Sequence, residues 1–551
     1  MPRYSIGVDF GTESARTVLV DVATGAEIAT AIHAYRHGVL DRQLPTGERL
    51  GTDWALQHPG DWIDATEDLL RQMARVGGAN IVGIGVDFTS CTVLATHADG
   101  TPLALDTSFQ HRAHAWPMLW KHHAAQRFAD RLNASGWDGL RWYGGKTSSE
   151  WLWAKAWQIL DEAPDVFAAA ERFIEGGDWI VWQLTDREVR SACQAGYKAH
   201  WQLDEGYPAR PLLDRLHPQL GSMLQRLGEP QPLGTLAGGL TQAWAERTRL
   251  RAGTPVAVSV IDAHAAVPAL GVTDPGRMVA IIGTSTCHMM LGRDRAVIPG
   301  ISGVVRDGIL PGFFGYEAGQ VAVGDMFEWY VRTQVASAFG GEAAAFAGLE
   351  ADAATLGPGE SGLLALDWWN GCRTPLVDAD LSGVIIGLTL ATQPGAIYRS
   401  LIEASAFGTR LVLDTFEDGG PISGMHVCGG VATKSPLLLQ IYADVIGRPV
   451  LAYDVPHASA VGAAIHGAVA GGVYPDLLTA TRAMGASPVR KYEPIRAHQA
   501  VYDALYALYR ELHTMLSRPD GAVKRLRRVQ QAALPQLVRF EDATRATHGE
   551  G

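Results

Sequence analysis

Residues 4–22 read YSIGVDFGTESARTVLVDV, and this stretch decides the fold class that we predict for the chain. Apolar residues dominate on both sides of a short polar segment that begins with Gly11 and Thr12. Two β-rich runs around a glycine turn are typical of a β-hairpin, here with strands predicted at 4–10 and 17–22. A carboxylate at Asp9 precedes the turn, and hydroxyl groups at Thr12 and Ser14 lie within it. The segment therefore has the groups that phosphate and Mg²⁺ binding require, although an ordinary polar turn remains an alternative.

The same arrangement occurs again half a chain later. Residues 278–282 form an apolar run, Gly283-Thr284-Ser285-Thr286 make a second turn rich in glycine and hydroxyl groups, and residues 288–291 form the returning run. Two such turns predict opposing hairpins that grip one triphosphate in a cleft between two domains. The alternative is a structural turn that is used twice without a ligand.

A third glycine element is the pair Gly429-Gly430, which follows the apolar-leaning run 424–428. A helix is predicted at 436–446, because Ser435 suits an N-cap, proline begins the helix, and apolar residues then recur at helical spacing. Paired glycines before a helix let a flat base lie against the backbone, which favours an adenosine pocket. A tight connection without a ligand is the alternative.

Length and composition exclude several classes of protein. A chain of 551 residues exceeds the roughly 250 to 300 that one hydrophobic core supports, so we expect two large domains. The net charge of −12 disfavours a nucleic-acid partner, because binding to phosphates needs a concentrated basic surface. The N-terminus lacks a signal-peptide pattern and the most apolar segments contain several glycines, so we expect no membrane partner. The five cysteines are widely spaced, which indicates neither a disulfide framework nor a zinc cluster and favours the cytoplasm: Cys91, Cys193, Cys287, Cys372 and Cys428.

In this order, the two hairpin turns and the paired glycines resemble the phosphate and adenosine motifs of the actin, hexokinase and heat-shock ATPase superfamily. The segment Val260-Ile261-Asp262-Ala263-His264 narrows the resemblance to the FGGY family of carbohydrate kinases. The resemblance implies two α/β domains of ribonuclease-H-like, actin-like ATPase fold with MgATP in the interdomain cleft. Turn signals at 271–275 put the domain boundary at 272, giving domains 1–272 and 273–551 with a loosely structured tail from about 518.

The resemblance assigns Asp262 as the catalytic base that faces the sugar hydroxyl. Phosphoryl transfer also requires, on chemical grounds, a carboxylate that orients and deprotonates the attacking hydroxyl beside a magnesium-bound phosphate. Without the resemblance, a solvent-facing aspartate that caps the next helix is the alternative. Asp9 and Asp262 are the predicted Mg²⁺ ligands. The predicted nucleotide-binding residues are Asp9, Gly11, Thr12, Ser14, Gly283, Thr284, Ser285, Gly429 and Gly430.

Longer stretches resemble the branch of the FGGY family whose substrate is L-ribulose: 85–92, 120–126, 144–151, 196–199 and 314–320. The resemblance implies that ATP phosphorylates L-ribulose to L-ribulose 5-phosphate in L-arabinose catabolism, and that Ser90, Lys198, Asp262 and Glu317 bind the sugar. Without it, Lys198 and Glu317 would be interpreted as a surface ion pair. The alternatives for the activity are a kinase for D-ribulose, xylulose or ribitol, and a nucleotide-driven binding or chaperone module. The sequence is also compatible with a homodimer.

Three local patterns qualify this interpretation. Residues 144–147 end in Gly-Lys-Thr, but the bulky residues before them exclude a P-loop. Cys372 stands where the family pattern has a polar amide, and His457 stands where a carboxylate or an amide is commoner.

Overall fold

A computed structural model describes residues 2–417, 420–530 and 532–533 of the chain. Its strands are β1 (Tyr4–Phe10), β2 (Ser14–Asp21), β3 (Glu27–Ala34), β4 (Ile81–Phe88), β5 (Val93–Thr96), β6 (Arg172–Glu175), β7 (Arg190–Ser191), β8 (Pro230–Gln231), β9 (Leu236–Gly239), β10 (Pro255–Ala257), β11 (Val260–Ile261), β12 (Arg277–Ile282), β13 (Thr286–Gly292), β14 (Gly303–Arg306), β15 (Phe314–Gln320), β16 (Leu364–Leu366), β17 (Val384–Ile386), β18 (Gly424–Cys428), β19 (Val450–Ala452) and β20 (Arg490–Tyr492).

The α-helices are α1 (Pro59–Gly77), α2 (Gln126–Asn133), α3 (Leu152–Glu162), α4 (Pro164–Ala169), α5 (Gly176–Thr185), α6 (Ala192–Lys198), α7 (Arg210–Leu216), α8 (Gln242–Thr248), α9 (Asp262–Ala269), α10 (Gly324–Tyr330), α11 (Glu342–Ala354), α12 (Pro394–Phe416), α13 (Pro436–Ile446), α14 (Ala458–Ala470), α15 (Leu477–Met484) and α16 (Arg496–Leu516). Shorter 3-10 or π turns cover Gly78–Asn80, Leu103–Leu105, Ala113–Ala115, Asp138–Tyr143, Leu220–Arg226 and Val331–Val335. Residues 522–530 are also helical, and residues 534–551 of the predicted tail lie outside the described part of the chain.

A seven-stranded sheet forms the centre of the first half. Its order is β3-β2-β1-β4-β10-β9, and β11 also pairs with β4. β1 and β2 are antiparallel, as the predicted hairpin requires, whereas β1, β10 and β11 all run parallel to β4. Because the carboxyl ends of parallel strands meet at one edge of a sheet, the residues that end β1, β4 and β11 lie close together.

The second half repeats this plan. A second seven-stranded sheet has the order β14-β15-β13-β12-β18-β19-β20, and its β12–β13 hairpin corresponds to β1–β2. α12 and α16 contribute to the large apolar core beside this sheet. Two sheets with matching hairpins confirm the predicted α/β fold class.

Helix α14 comes from the second half of the chain but packs against the first sheet. The hydroxyl of Ser5 on β1 donates to the carbonyl of Ala464, 2.7 Å away. A methyl group at Gly7 would overlap the carbonyl oxygen of Ala460, and one at Gly462 would overlap that of Ala265 on α9. The backbone of α14 therefore lies directly against β1 and α9. The domain boundary expected at residue 272 stays a prediction.

Several local predictions are confirmed to the residue. β1 spans 4–10 and α13 spans 436–446, each as predicted. The hydroxyl of Ser435 accepts a hydrogen bond from the N–H of Leu438, and Gly447 ends the helix in the left-handed conformation. None of the helices in the described ranges combines the length and the low polarity needed to cross a bilayer.

Candidate active site

One cavity of about 290 Å³ is lined by residues from both halves of the chain. Seven of the predicted site residues form part of its wall: Thr12, Ser90, Lys198, Asp262, Thr284, Ser285 and Glu317. The two hairpin turns thus open onto the same cavity as the aspartate at the start of α9. The other six predicted residues do not line it: Asp9, Gly11, Ser14, Gly283, Gly429 and Gly430.

The first turn is held in place from inside and outside the hairpin. The N–H of Gly11 donates to the carbonyl of Ser14 at 3.0 Å, which closes the turn. The indole N–H of Trp120 donates to the hydroxyl oxygen of Thr12 at 3.1 Å, and Gln57 donates to the Thr12 carbonyl at 2.8 Å. Thr12 is therefore fixed at the cavity wall by two residues from distant segments.

The second turn rests on the beginning of α10. The N–H of Gly283 donates to the carbonyl of Ser285 at 2.9 Å. The N–H groups of Val323 and Gly324 donate to the carbonyls of Thr284 and Gly283, at 2.8 and 3.0 Å. The turn is thereby stabilised through its carbonyl groups, while the side chains of Thr284 and Ser285 reach the cavity.

The paired glycines lie next to this second turn. Gly429 has a φ of 103°, which favours glycine, and a methyl group there would crowd the carbonyl oxygen of Ile282. The space beside Gly430 is open. The pair therefore leaves room for a flat ligand beside the end of β12, which is compatible with the adenosine pocket predicted from the sequence.

Three carboxylates gather at the edge of the first sheet. Asp9 pairs in register with Asp87 across β1 and β4, and Val260 of β11 pairs with Asp87 from the other side, two residues before Asp262. The guanidinium of Arg16 lies 3.3 Å from Asp9. Burial, together with the negative charges of Asp9 and Asp262, raises the pKa of Asp87 well above its usual value.

Of these three carboxylates, Asp262 is the one that lines the cavity. Its Oδ1 accepts a hydrogen bond from the N–H of Ala263 at 2.7 Å, and it is the first residue of α9 rather than the N-cap, which is Ile261. Burial raises the pKa of Asp262 to about 7, and the negative charge of Asp9 makes a second, smaller contribution. A carboxylate with this pKa can accept a proton near neutral pH, as a general base must.

Lys198 and Glu317 form a buried ion pair on the cavity wall. The ammonium lies 2.9 and 2.8 Å from the two carboxylate oxygens, and the residues are only 3% and 8% exposed. The alternative of a surface pair is therefore wrong. Burial, the largest single influence, would lower the pKa of Lys198, but the charge and hydrogen bonds of Glu317 together with the nearby Cys91 raise it above its usual value. The buried imidazole of His264 lies 3.6 Å from Glu317, and burial lowers the pKa of this histidine to about 4, so it is neutral at pH 7.

The donor set fits a divalent cation. Mg²⁺ prefers carboxylate and water oxygens, and it is commonly held by one or two carboxylates together with substrate phosphates. Asp9 and Asp262 supply such oxygens between the two turns. When bound, the cation would neutralise charge on the phosphates of a nucleotide.

The structure also brings to the cavity residues to which the sequence analysis assigned no role. The large or charged ones among them are Trp120, Tyr143, Lys146, Glu150, Trp151, His264 and Arg373. Most of them lie in stretches that resemble the FGGY family. Their position in those stretches was the one feature of the sequence that could have indicated a role in the site. Glu150 and Arg373 come from opposite halves of the chain, so their proximity follows from the fold.

Segment 144–151 crosses from the first half to the second at the mouth of the cavity. The ammonium of Lys146 donates to the carbonyls of Leu376 and Val377, at 3.3 and 3.5 Å. The guanidinium of Arg373 lies 3.6 Å from the carboxylate of Glu150. The lysine excluded above from a P-loop thus bridges the two halves.

The two departures from the family pattern lie away from these contacts. Cys372 is buried in a separate small recess with Asp367 and Tyr509. His457 precedes α14, and its Nδ1 lies 3.6 Å from a carboxylate oxygen of Glu27 on β3.

The Glu150→Gln variant tests the bridge at the cavity mouth. We expect its KM for the sugar to rise about tenfold with a smaller change in kcat, because Arg373 loses a partly buried partner that holds the two halves together. Lys146→Met is the matched comparison, and its effect should be weaker since Lys146 is exposed. Steady-state kinetics measure both, and an unchanged KM in Glu150→Gln would contradict the bridging role.

The pH dependence follows from Asp262. Its folded-state pKa of about 7 means that the carboxylate is ionised above that pH and protonated below it. With both substrates far below their KM values, we expect the rate constant to fall about tenfold per pH unit below pH 7, because the base is lost. A stopped-assay profile from pH 5 to pH 9 measures this slope, and a flat profile between pH 5 and pH 7 would rule out a base with this pKa.

A cleft between two sheets of this topology, with glycine turns on both sides and a carboxylate facing them, defines a phosphotransferase of the actin-like ATPase fold. The N-terminal domain model of the FGGY family of carbohydrate kinases matches residues 4–269, and the C-terminal domain model matches residues 278–471. The chain belongs to the FGGY family of carbohydrate kinases, and it is a sugar kinase.

Curated relatives match over nearly the whole chain. A protein named Ribulokinase from Bacillus licheniformis is 47% identical over 536 residues, covering 94% of this chain and 97% of its own. A Ribulokinase from Mycolicibacterium smegmatis is 47% identical over 544 residues, covering 96% of each chain. The solved structure of a ligand-bound xylulose kinase from Lactobacillus acidophilus has a TM-score of 0.79 at 18% identity, covering 94% of this chain and 98% of that one, which supports the shared fold.

Proposed function

We propose that the chain catalyses the reaction of ATP with L-ribulose to give ADP and L-ribulose 5-phosphate. The observation that carries this proposal is the shared cavity, whose wall includes Asp262 together with Thr12 of the first turn and Thr284 of the second. The relatives named Ribulokinase support L-ribulose as the sugar.

In the proposed reaction, Asp262 accepts the proton of the terminal hydroxyl of the sugar. The oxygen of that hydroxyl forms a bond with the γ-phosphorus of ATP, while the bond from this phosphorus to the bridging oxygen breaks and its electron pair leaves with ADP. Asp262 orients the hydroxyl toward phosphates held at the two turns, and closure of the cleft keeps water from replacing the sugar.

The buried pair of Lys198 and Glu317 is proposed to position the other sugar oxygens. An ammonium group donates hydrogen bonds and a carboxylate accepts them, so the pair can hold a carbonyl and neighbouring hydroxyls of a ketose. Ser90, on the same wall, adds a hydroxyl. Because both charged groups are already ordered against each other, the site is organised before the sugar arrives.

The cofactor and the cellular compartment are proposed on the basis of the same reaction. We propose that Mg²⁺ accompanies ATP and is held by Asp9 and Asp262, and that Gly11, Ser14, Gly283, Ser285, Gly429 and Gly430 contact the nucleotide. ATP is made and used in the cytoplasm, and we place the enzyme there. The homodimer that the sequence allows stays a prediction. Analytical ultracentrifugation would measure the oligomeric state.

A substrate panel tests the proposed activity. ADP release, coupled to NADH oxidation, is measured with L-ribulose, D-ribulose, D-xylulose, L-xylulose and ribitol at matched concentrations. We expect the highest kcat/KM with L-ribulose. A higher value with another sugar would reassign the substrate within the family, and ATP turnover that no sugar stimulates would contradict the proposed kinase reaction.

A further inference from the structure

Asp87 is a fully buried carboxylate to which the proposed reaction assigns no role. It is 0% exposed, and neither of its oxygens has a hydrogen-bond partner among the described residues. Taking an ionised carboxylate out of water is unfavourable unless a partner compensates it.

The sheet aims Asp87 at the same place as the predicted cation ligands. Asp9 and Asp87 are directly opposite in parallel register, so their side chains emerge on the same face of the sheet. Val260 pairs with Asp87 on the other side, which brings the start of α9 and Asp262 alongside. Three carboxylates thus meet at the ends of three neighbouring strands.

Positive charge from the protein is scarce at this point. Arg16 contacts Asp9 but its side chain is 45% exposed, and Lys198 is already engaged by both oxygens of Glu317. Among the residues that the structure describes, these three carboxylates have a single ion pair, between Asp9 and the half-exposed Arg16. A divalent cation would supply both the missing charge and the missing partner for Asp87.

We propose that Asp87 is a third carboxylate of the divalent-cation site, binding the ion with Asp9 and Asp262 either directly or through a bound water. The inference rests on the proposed function only in that the enzyme binds a nucleotide together with a divalent cation.

Cation affinity tests the proposal without sugar and without turnover. Mn²⁺, which replaces Mg²⁺ as a probe, is titrated into the full-length protein with ADP, and free Mn²⁺ is measured by electron paramagnetic resonance. We expect Asp87→Asn to weaken Mn²⁺ binding about tenfold or more. Asp178→Asn is the matched control, because Asp178 is an equally buried carboxylate whose oxygens are occupied by Ser191 and Ser259, and it should bind Mn²⁺ as the unaltered protein does.

If the Asp87→Asn variant folds and binds Mn²⁺ as tightly as the unaltered protein, the proposal is overturned, and Asp87 has no role in cation binding. If the variant does not fold, anomalous scattering from Mn²⁺ in crystals of the unaltered protein with ADP decides the question. An Asp87 oxygen bound to Mn²⁺ directly or through one water supports the proposal, and a greater separation overturns it. Since no sugar is present, a different preferred substrate in the panel would leave this result unaffected.

Discussion

Replacing Asp262 with asparagine is expected to lower kcat by about a thousandfold or more. Asparagine has nearly the same size and can accept the hydrogen bond from Ala263, but it cannot take a proton from the attacking hydroxyl. ATP affinity should fall far less than kcat, because the hairpin turns and the paired glycines proposed to bind the nucleotide are unchanged and Asp9 remains to hold Mg²⁺. Steady-state kinetics give kcat, and isothermal titration with a non-hydrolysable ATP analogue gives the affinity.

Asp274→Asn provides the control for this experiment. Asp274 lies on the exposed connection between the two sheets, 3.0 Å from Arg277, and its loss should leave kcat unchanged. An Asp262→Asn enzyme that retains more than about a tenth of the original turnover would remove Asp262 from the role of general base, since that role is worth about 10²- to 10⁴-fold.

Breaking the ion pair of Lys198 and Glu317 is expected to damage both stability and sugar binding. In Lys198→Met the carboxylate of Glu317 stays buried without its cation, a loss of about 3 to 5 kcal/mol that should lower the melting temperature by roughly 5 °C or more. Sugar binding should weaken by at least about a hundredfold, because a charged donor to the sugar oxygens is lost. Calorimetry and isothermal titration with the sugar measure the two effects separately.

The double variant Lys198→Met/Glu317→Leu separates a structural role from a binding role. Replacing both charges with apolar groups of similar size should restore most of the melting temperature, because no unpaired charge remains. It should not restore sugar binding. Lys491→Met is the surface control, since Lys491 and Glu493 are each more than half exposed and such pairs contribute about 1 kcal/mol at most. A double variant that binds the sugar normally would show that the pair only supports the fold.

Local elements could be predicted from the sequence because their signals are local. α13 begins at Pro436 and ends at Ile446 as predicted, since Ser435 caps one end and Gly447 terminates the other. The two hairpins were recognisable for the same reason: each turn combines a glycine and hydroxyl groups between apolar runs.

The composition of the cavity wall could be predicted only in part. Lys198 and Glu317 are 119 residues apart, and nothing in their own neighbourhoods tells a buried pair from a surface pair. The bridge between Glu150 and Arg373 likewise depends on how the two halves meet. Asp87 lay within a stretch that carried the family resemblance, but its burial and its missing partner are properties of the sheet rather than of the sequence around it.

The backbone contacts of α14 also limit how this enzyme can be engineered. Glycine-to-alanine replacement is a common route to heat tolerance, because it reduces the freedom of the unfolded chain. Alanine does not fit at Gly7 or Gly462, since the added methyl group has no space beside Ala460 and Ala265. Ala265 lies three residues after Asp262 on the same helix, so an alanine at 462 would displace the helix that begins with Asp262, the proposed general base. A mutant library designed to raise thermal stability should therefore keep glycine at these two positions.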